Sequence, residues 1–292
     1  MNLNRRRFLA ISGASTVASP ALAQVHRWQG RALGADVEIT LHAPAEIAVT
    51  ALEQSRALLA KVEQQFNLFD PASALCGLNR EGRLHDPDQI MHALMRACGT
   101  IHKATGGLFD PTVQPLWRAL AEGRDTQAAR KLIGWSQVRH TASSITLGKG
   151  QALTFNGIAQ GFATDLVTKT LRRAGLDRTL VNIGEFRGTG GPWTIGVSDP
   201  EFGHIGTRTI FSAALATSSP AAVPLDGNGH ILHGQAKPLW STVSVEADTA
   251  TIADGFSTAL TMAPLPDIRA LKGRFGLLRI TLISDRGDVS TV

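Results

Sequence analysis

Near the end of the chain, Ala253-Asp254-Gly255-Phe256-Ser257-Thr258 sets a carboxylate and a hydroxyl four residues apart. On a helix, positions i and i+4 share a face, so Asp254 and Thr258 would point the same way. Two hard oxygens on one face suit a Mg²⁺ ion that keeps other positions for water and phosphate. Read alone, the pair is more simply a capping carboxylate beside an exposed threonine.

Three other segments carry comparable chemistry. Gly229-His230-Ile231-Leu232-His233-Gly234 holds two histidines three apart among glycines, which fits a general base, a metal pair or a surface turn. In Asn156-Gly157-Ile158-Ala159-Gln160-Gly161-Phe162-Ala163 a strand end turns into a helix, and free N–H groups at a helix start attract phosphate. That segment is neither a Walker loop nor the complete dinucleotide fingerprint, and tight helix–sheet packing explains its glycines as well. In Thr105-Gly106-Gly107-Leu108-Phe109-Asp110-Pro111-Thr112-Val113, paired glycines let backbone approach a flat ligand, and the proline holds Asp110 extended. A helix C-cap followed by a turn reads the same way.

Hydrophobic spacing predicts the elements that must position these groups. Asp36 to Leu41 alternates as a half-buried strand does. From Ala45 to Phe66, apolar residues including Leu52, Leu59 and Val62 fall at helical spacing, and Phe69-Asp70-Pro71 ends the run. A second helix runs from about Asp88 to Ala104. Leu132 to Thr154 reads as short strands with turns, among them Ser144–Leu147 and Ala152–Phe155. Gly157 to Ala174 is a helix with Ile158, Phe162, Leu166, Val167 and Leu171 on one side, and Gly175 stops it. Leu180–Ile183, Trp193–Val197 and Leu277–Ile283 read as strands, and Ala250–Met262 as a helix of small residues. Helices and strands mix without regular alternation. The fold class is α+β, or mixed α/β, rather than a barrel or a doubly wound sheet.

With 292 residues, 43% apolar and 18% charged, the chain is long enough for one large domain or two lobes sharing a core. The N-terminus reads as an address. Asn4-Arg5-Arg6-Arg7-Phe8-Leu9 is a twin-arginine pattern, a modest apolar stretch follows, and Ala21-Leu22-Ala23 offers small residues for a signal peptidase. Residues 1–23 are therefore expected to be a twin-arginine (Tat) signal peptide, with 24–292 a mature periplasmic domain. Beyond them no stretch approaches the roughly 18 to 20 apolar residues that cross a bilayer, so no membrane span is expected. Loss of Arg5, Arg6 and Arg7 lowers the net charge of +5 by three, to +2. No basic run or interleaved aromatic platform is left, which excludes nucleic-acid binding despite a pI of 9.7. Cys76 and Cys98 are too few for a disulfide framework and read as inert thiols, with one bridge open as an alternative.

In this order, the segments resemble the FAD:protein FMN transferase (ApbE) family. Phe69-Asp70-Pro71-Ala72-Ser73-Ala74-Leu75-Cys76-Gly77-Leu78-Asn79 is similar to that family's F-D-P-x-S-x-L-S-x-L-N stretch. Thr105 to Val113 resembles its G-G-x-F-D-P-T-V, Asn156 to Phe162 its G-G-I-A-K-G-Y, and Leu180-Val181-Asn182-Ile183-Gly184 its V-N-L-G strand. Ala216-Thr217-Ser218-Ser219 is similar to A-T-S-G, His230-Ile231-Leu232 to the H-I-L of H-I-L-D-P, and Ala253-Asp254 with Thr258 to A-D-x-x-x-T. The departures are Thr154 for an acid, Gln160 for a lysine, Glu185-Phe186 for G-D, and His233-Gly234 for D-P; the chain has no tyrosine.

The resemblance implies a two-lobed fold with FAD in a groove between the lobes and Mg²⁺ at its pyrophosphate. By carry-over, Leu108, Phe109, Asp110, Asn156, Gly157, Phe162 and Ser257 would contact FAD. Asp254, Thr258 and the carbonyl of Ala159 would hold the metal, and His230 would be the base. The implied reaction moves FMN from FAD to a threonine or serine hydroxyl of an exported or membrane partner protein and releases AMP. A non-catalytic FAD-binding protein and a Mg²⁺-dependent FAD pyrophosphatase are the competing expectations.

Overall fold

The computed structural model describes residues 24–225 and 227–292, so the expected signal peptide at 1–23 lies outside the described residues. Helices α1 (Ala45–Phe66), α2 (Ala74–Glu81), α3 (Gln89–Ala104) and α4 (Gln114–Ala121) precede α5 (Thr126–Arg130), α6 (Ala159–Arg173), α7 (Ala250–Leu260) and α8 (Leu265–Leu271). An eight-stranded antiparallel sheet runs through Gln24–Ala32, Ala35–Ala43, Thr179–Ile183, Phe186–Thr189, Ala214–Ser218, Thr242–Ala247, Leu277–Ile283 and Val289–Thr291. Strands neighbour one another in chain order, with one long excursion from 44 to 178 between the second and third. The α+β class expected from the sequence is the class found.

Alternation sets each face of the sheet. Val181 and Ile183 are buried beneath α6, whereas Leu180, Phe186 and Leu215 pack on the opposite side against the hairpin of Trp193–Asp199 and Gly203–Ile210. Helices α1, α6 and α7 cover the first face side by side. The first hairpin turns at Leu33 and Gly34, both at positive φ (51° and 76°), which a tight two-residue turn requires. Glu63 of α1 accepts the Leu33 N–H at 3.1 Å and ties that turn to the helix.

The small residues of α7 have a packing cause. A methyl group at Gly161 of α6 would collide with the Ala250 carbonyl and stand 2.7 Å from the Asp254 Cβ, and one at Gly255 would strike Ile101 of α3. Asp165 of α6 staples the start of α7, accepting the Ala250 and Thr251 N–H groups at 2.9 Å each while taking Arg187 Nη1 at 2.6 Å. Two helices thus lie close enough for a side chain of one to finish the backbone of the other.

One expected strand has a different partner. Ala152–Phe155 forms no strand and joins no sheet. The Asn79 side-chain amide takes the partner's place, donating to the Leu153 carbonyl at 2.9 Å and accepting its N–H at 2.7 Å. Helix α6 starts at Ala159 rather than Gly157, since Gly157 closes a turn ahead of it. Cys76 and Cys98 are both free thiols, and burial raises the pKa of Cys98 far above the usual thiol range. No helix among the described residues is long and apolar enough to cross a membrane.

Candidate active site

A groove of about 490 Å³ opens where the start of α6, the middle of α7 and the end of the Ala214–Ser218 strand meet the loop from Leu108 to Val113. Its apolar lining is formed by Leu68, Leu108, Phe109, Trp117, Ile231 and Leu232. Its inner end, where Asp254 is almost fully buried, is rich in oxygen, formed by Gly157, Glu185, Ser218, Asp254 and Thr258, while Asn156 lines the groove from an exposed position. An amphipathic ligand with a flat apolar ring and a charged tail matches that division.

At the inner end, Asp254 and Thr258 share the groove-facing side of α7 as their spacing predicts. Asp254 does cap a helix, but α6 rather than its own. Thr249, not Asp254, caps α7, accepting the Ile252 N–H at 3.3 Å. Asp254 is 3% exposed and accepts instead the Gly161 N–H at 2.9 Å, a first-turn donor of α6 that has no acceptor within its own helix. Thr258 Oγ1 donates to the Gly157 carbonyl at 3.4 Å and lies 3.3 Å from Ser218 Oγ. No side chain fits at Gly157, where a methyl group would lie 2.9 Å from the Thr258 side chain.

Glu185 joins this end from the turn between Thr179–Ile183 and Phe186–Thr189. It is 7% exposed, and its Oε2 accepts the Thr217 N–H at 3.1 Å. Burial first, and then the charge of Asp254, raise the Glu185 pKa well above the usual carboxylate range, against the lowering effect of the Thr217 N–H. Burial likewise raises the pKa of Asp254, against the Gly161 N–H and with the charge of Asp165. Two carboxylates in one dry recess disfavour each other's ionisation.

The resemblance implies Mg²⁺ here, and the donor set fits it. The acids Glu185 and Asp254, the hydroxyls of Ser218 and Thr258 and the turn carbonyl of Gly157 are all oxygen donors, with Ala159 beside them. Among the described residues no group of three His, Cys, Asp or Glu side chains clusters as a closed transition-metal site would. One or two carboxylates with room left for water and phosphate is the Mg²⁺ pattern.

The remaining predicted residues divide. Leu108, Phe109, Asp110, Asn156 and Gly157 all line the groove. The carboxylate of Asp110 is already engaged, accepting the Thr112 N–H and hydroxyl at 2.9 and 2.6 Å and the Trp135 N–H at 3.2 Å, so it shapes the loop that carries Phe109. Phe162 and Ser257 stand behind the groove wall. Phe162 packs edge-on against Phe66 in the main core, with ring centroids 6.1 Å apart. Ser257 is fully buried and bonded to Ser218 Oγ at 2.8 Å, so it supports a lining hydroxyl rather than being one.

His230 lines the groove and His233 does not. The His230 Nδ1 faces the Pro220 carbonyl at 3.0 Å, so it carries the proton and Nε2 keeps its lone pair. Burial lowers the pKa of this imidazole below the usual histidine range, against the Pro220 carbonyl that Nδ1 faces and the nearby backbone of Val223. A neutral ring with an accepting Nε2 is what a general base requires. His233 folds its own turn, its Nδ1 accepting the Gln235 and Ala236 N–H groups at 3.2 and 2.8 Å. The two histidines therefore form no metal pair. Gln160 spans from α6 to the first hairpin, donating to the Leu33 carbonyl at 3.2 Å. Sequence reasoning missed Glu185 as a site residue, and its only signal was an acid directly after Val181-Asn182-Ile183-Gly184.

The comparison with curated proteins returns no match. Solved structures share the fold at low identity. The flavin transferase ApbE from Vibrio cholerae superposes with a TM-score of 0.79 at 20% identity, over 92% of this chain and 97% of that one. The apbe protein from Thermotoga maritima gives 0.79 at 24% identity, over 91% and 96%. The Pseudomonas stutzeri flavinyl transferase ApbE in its apo form gives 0.79 at 22% identity, over 93% and 94%. The ApbE family model matches residues 33–277, most of the described chain, and by that match the chain belongs to the ApbE family.

Proposed function

We propose that this chain is a FAD:protein FMN transferase. It takes FAD into the groove, transfers FMN to a threonine or serine hydroxyl of an exported or membrane-attached partner protein, and releases AMP. The observation that carries the reading is one groove with two kinds of lining: an apolar wall that includes Phe109 and Ile231, and a buried oxygen cluster around Asp254. Family membership and the flavin transferases among the solved structures that share its fold support the same assignment.

The residues divide the work. Leu108, Phe109, Trp117 and Ile231 form the apolar walls against which the flavin ring would pack. Asp254 and Thr258, with the backbone near Ala159, would hold Mg²⁺, which supplies charge neutralisation at the pyrophosphate when bound. His230 Nε2 takes the proton of the acceptor hydroxyl as its oxygen bonds to the FMN phosphorus. The bond from that phosphorus to the bridging oxygen breaks, and AMP leaves with the oxygen. Burial keeps His230 neutral, so it is ready to accept that proton near neutral pH.

The reading includes export. Twin-arginine transport would deliver the folded chain to the periplasm, with the Tat machinery as a transient partner; N-terminal sequencing of secreted material should begin near Gln24. The decisive assay incubates the mature chain with FAD, Mg²⁺ and a threonine-containing acceptor protein. Covalent flavin on the acceptor with stoichiometric AMP is expected. AMP and free FMN without labelled acceptor would make the chain a pyrophosphatase, and bound FAD with neither product would leave it a binding protein.

A further inference from the structure

We propose that Glu185 is a second carboxylate ligand of the cation site on Asp254, so that two acids face one divalent cation, which binds before FAD arrives and displaces any proton they hold. The proposal rests on the reading of Asp254 as a cation ligand. Three contacts fix the aim of Glu185. Gly184 before it adopts the left-handed conformation (φ 81°), and the Glu185 carbonyl accepts the Ile183 N–H at 3.1 Å and the Thr164 hydroxyl at 3.2 Å. The Thr217 N–H then holds Oε2. Oε1 makes no hydrogen bond among the described residues, although the side chain is more than nine-tenths buried and lines the groove with Asp254.

Asp254 repeats the pattern. Its Oδ2 is taken by Gly161, and Oδ1 has no partner among the described residues. No Lys, Arg or His among the described residues forms an ion pair with either acid, and nearby Arg187 is committed to Asp165 at 2.6 Å. Two carboxylates this little exposed, each with one unpartnered oxygen open to the groove and no cationic side chain beside it, are costly to keep ionised unless a cation stands between them. Thr258 and Ser218 add neutral oxygens on the same side. Ligand charge count sets affinity at such hard-oxygen sites, so a second acid lets the site fill without help from phosphate.

The test needs no turnover. Mn²⁺ alone is titrated calorimetrically into the mature chain without FAD, and thermal melting is recorded in chelator and in saturating Mg²⁺. Wild type should bind Mn²⁺ and melt higher in Mg²⁺. Glu185→Gln keeps an acceptor for the Thr217 N–H. It should melt at or above wild type in chelator, lose most of the Mg²⁺-induced rise, and bind Mn²⁺ at least about ten-fold more weakly. A purely structural Glu185 would instead lower the melting temperature equally in both conditions, and that result overturns the proposal. If Glu185→Gln binds Mn²⁺ as wild type does while Asp254→Ala does not, Glu185 is no ligand and the cation reading of Asp254 stands. If wild type binds no Mn²⁺, both fall. Should Glu185→Gln fail to fold, Glu185→Asp, which draws the charge back by one methylene, must show the same weakening; unchanged affinity there rejects the assignment.

Discussion

Asp199 and Asp254 are equally hidden from solvent, each 3% exposed, yet their acidities shift in opposite directions. Asp199 ends a strand at the rim of the molecule. It accepts four hydrogen bonds, from the Glu201 and Phe202 N–H groups at 2.8 and 3.0 Å and from the Ser241 and Thr242 hydroxyls at 2.7 and 2.6 Å. Burial raises its pKa, but those donors outweigh burial and hold it below the usual carboxylate range. Asp254 sits between α6 and α7 with a single donor, and there burial wins. A buried acid with every lone pair taken is a structural staple. One with lone pairs to spare is waiting for something positive.

Breaking each acid in turn should separate activity from stability. The largest effect is expected at Asp254: Asp254→Asn or removal of Mg²⁺ by chelator should lower flavin transfer more than about 10³-fold, with the fold intact by circular dichroism. Retained transfer would refute the metal assignment. Next comes His230→Gln, which should cost roughly 10² to 10⁴ in transfer rate while FAD binding, followed by flavin fluorescence, stays near wild type. In the wild-type chain the rate should climb with pH through a value below the usual 6.5 of histidine and then level off, since only the neutral ring accepts a proton.

The smallest effect on activity, and a clear one on stability, belongs to Asp199. Asp199→Ala leaves two turn N–H groups and the Ser241 hydroxyl without their acceptor and the Thr242 hydroxyl with Ser219 alone, and should cost about 2 to 4 kcal/mol. In melting experiments that is about 5 to 15 °C. Because the folded pKa of Asp199 is depressed, its contribution is complete above the ordinary value of 3.8 and fades as pH falls through the lower folded value. The acid limb of the stability curve should therefore flatten in Asp199→Asn. An unchanged limb would mean that the four donors do not set its acidity.

Local spacing made some of this legible and hid the rest. Asp254 and Thr258 could be paired from the sequence because helical geometry alone puts i and i+4 together. The bounds of α1 and of the Leu277–Ile283 strand followed equally from hydrophobic period. Which side of a helix meets the groove is a tertiary fact: Phe162 and Ser257, expected at FAD, are absent from the lining, and Ser257 sits behind Ser218. Glu185 was illegible for another reason. Its role depends on the Phe186–Thr189 strand pairing with Ala214–Ser218, which brings the Thr217 N–H over the acid. Nothing local to Glu185 announces a neighbour 32 residues away. Asn79 standing in as the partner of Leu153 belongs to the same class, because an apolar run resembles a strand whatever satisfies its backbone.

The long excursion within an otherwise sequential sheet bears on how the molecule assembles. Ala35–Ala43 pairs with Thr179–Ile183, so the 135 residues from 44 to 178 must be gathered before that register can form. Closing so long a loop delays the pairing relative to the neighbouring hairpins, which need only local turns. Leu33 and Gly34, at the tip of the first hairpin, are part of the groove wall, and Gln160 pins that tip to α6. The groove wall is thus completed by a contact between residues 127 positions apart. The whole pocket exists only once that tertiary contact is made, and a chain without it presents an incomplete wall.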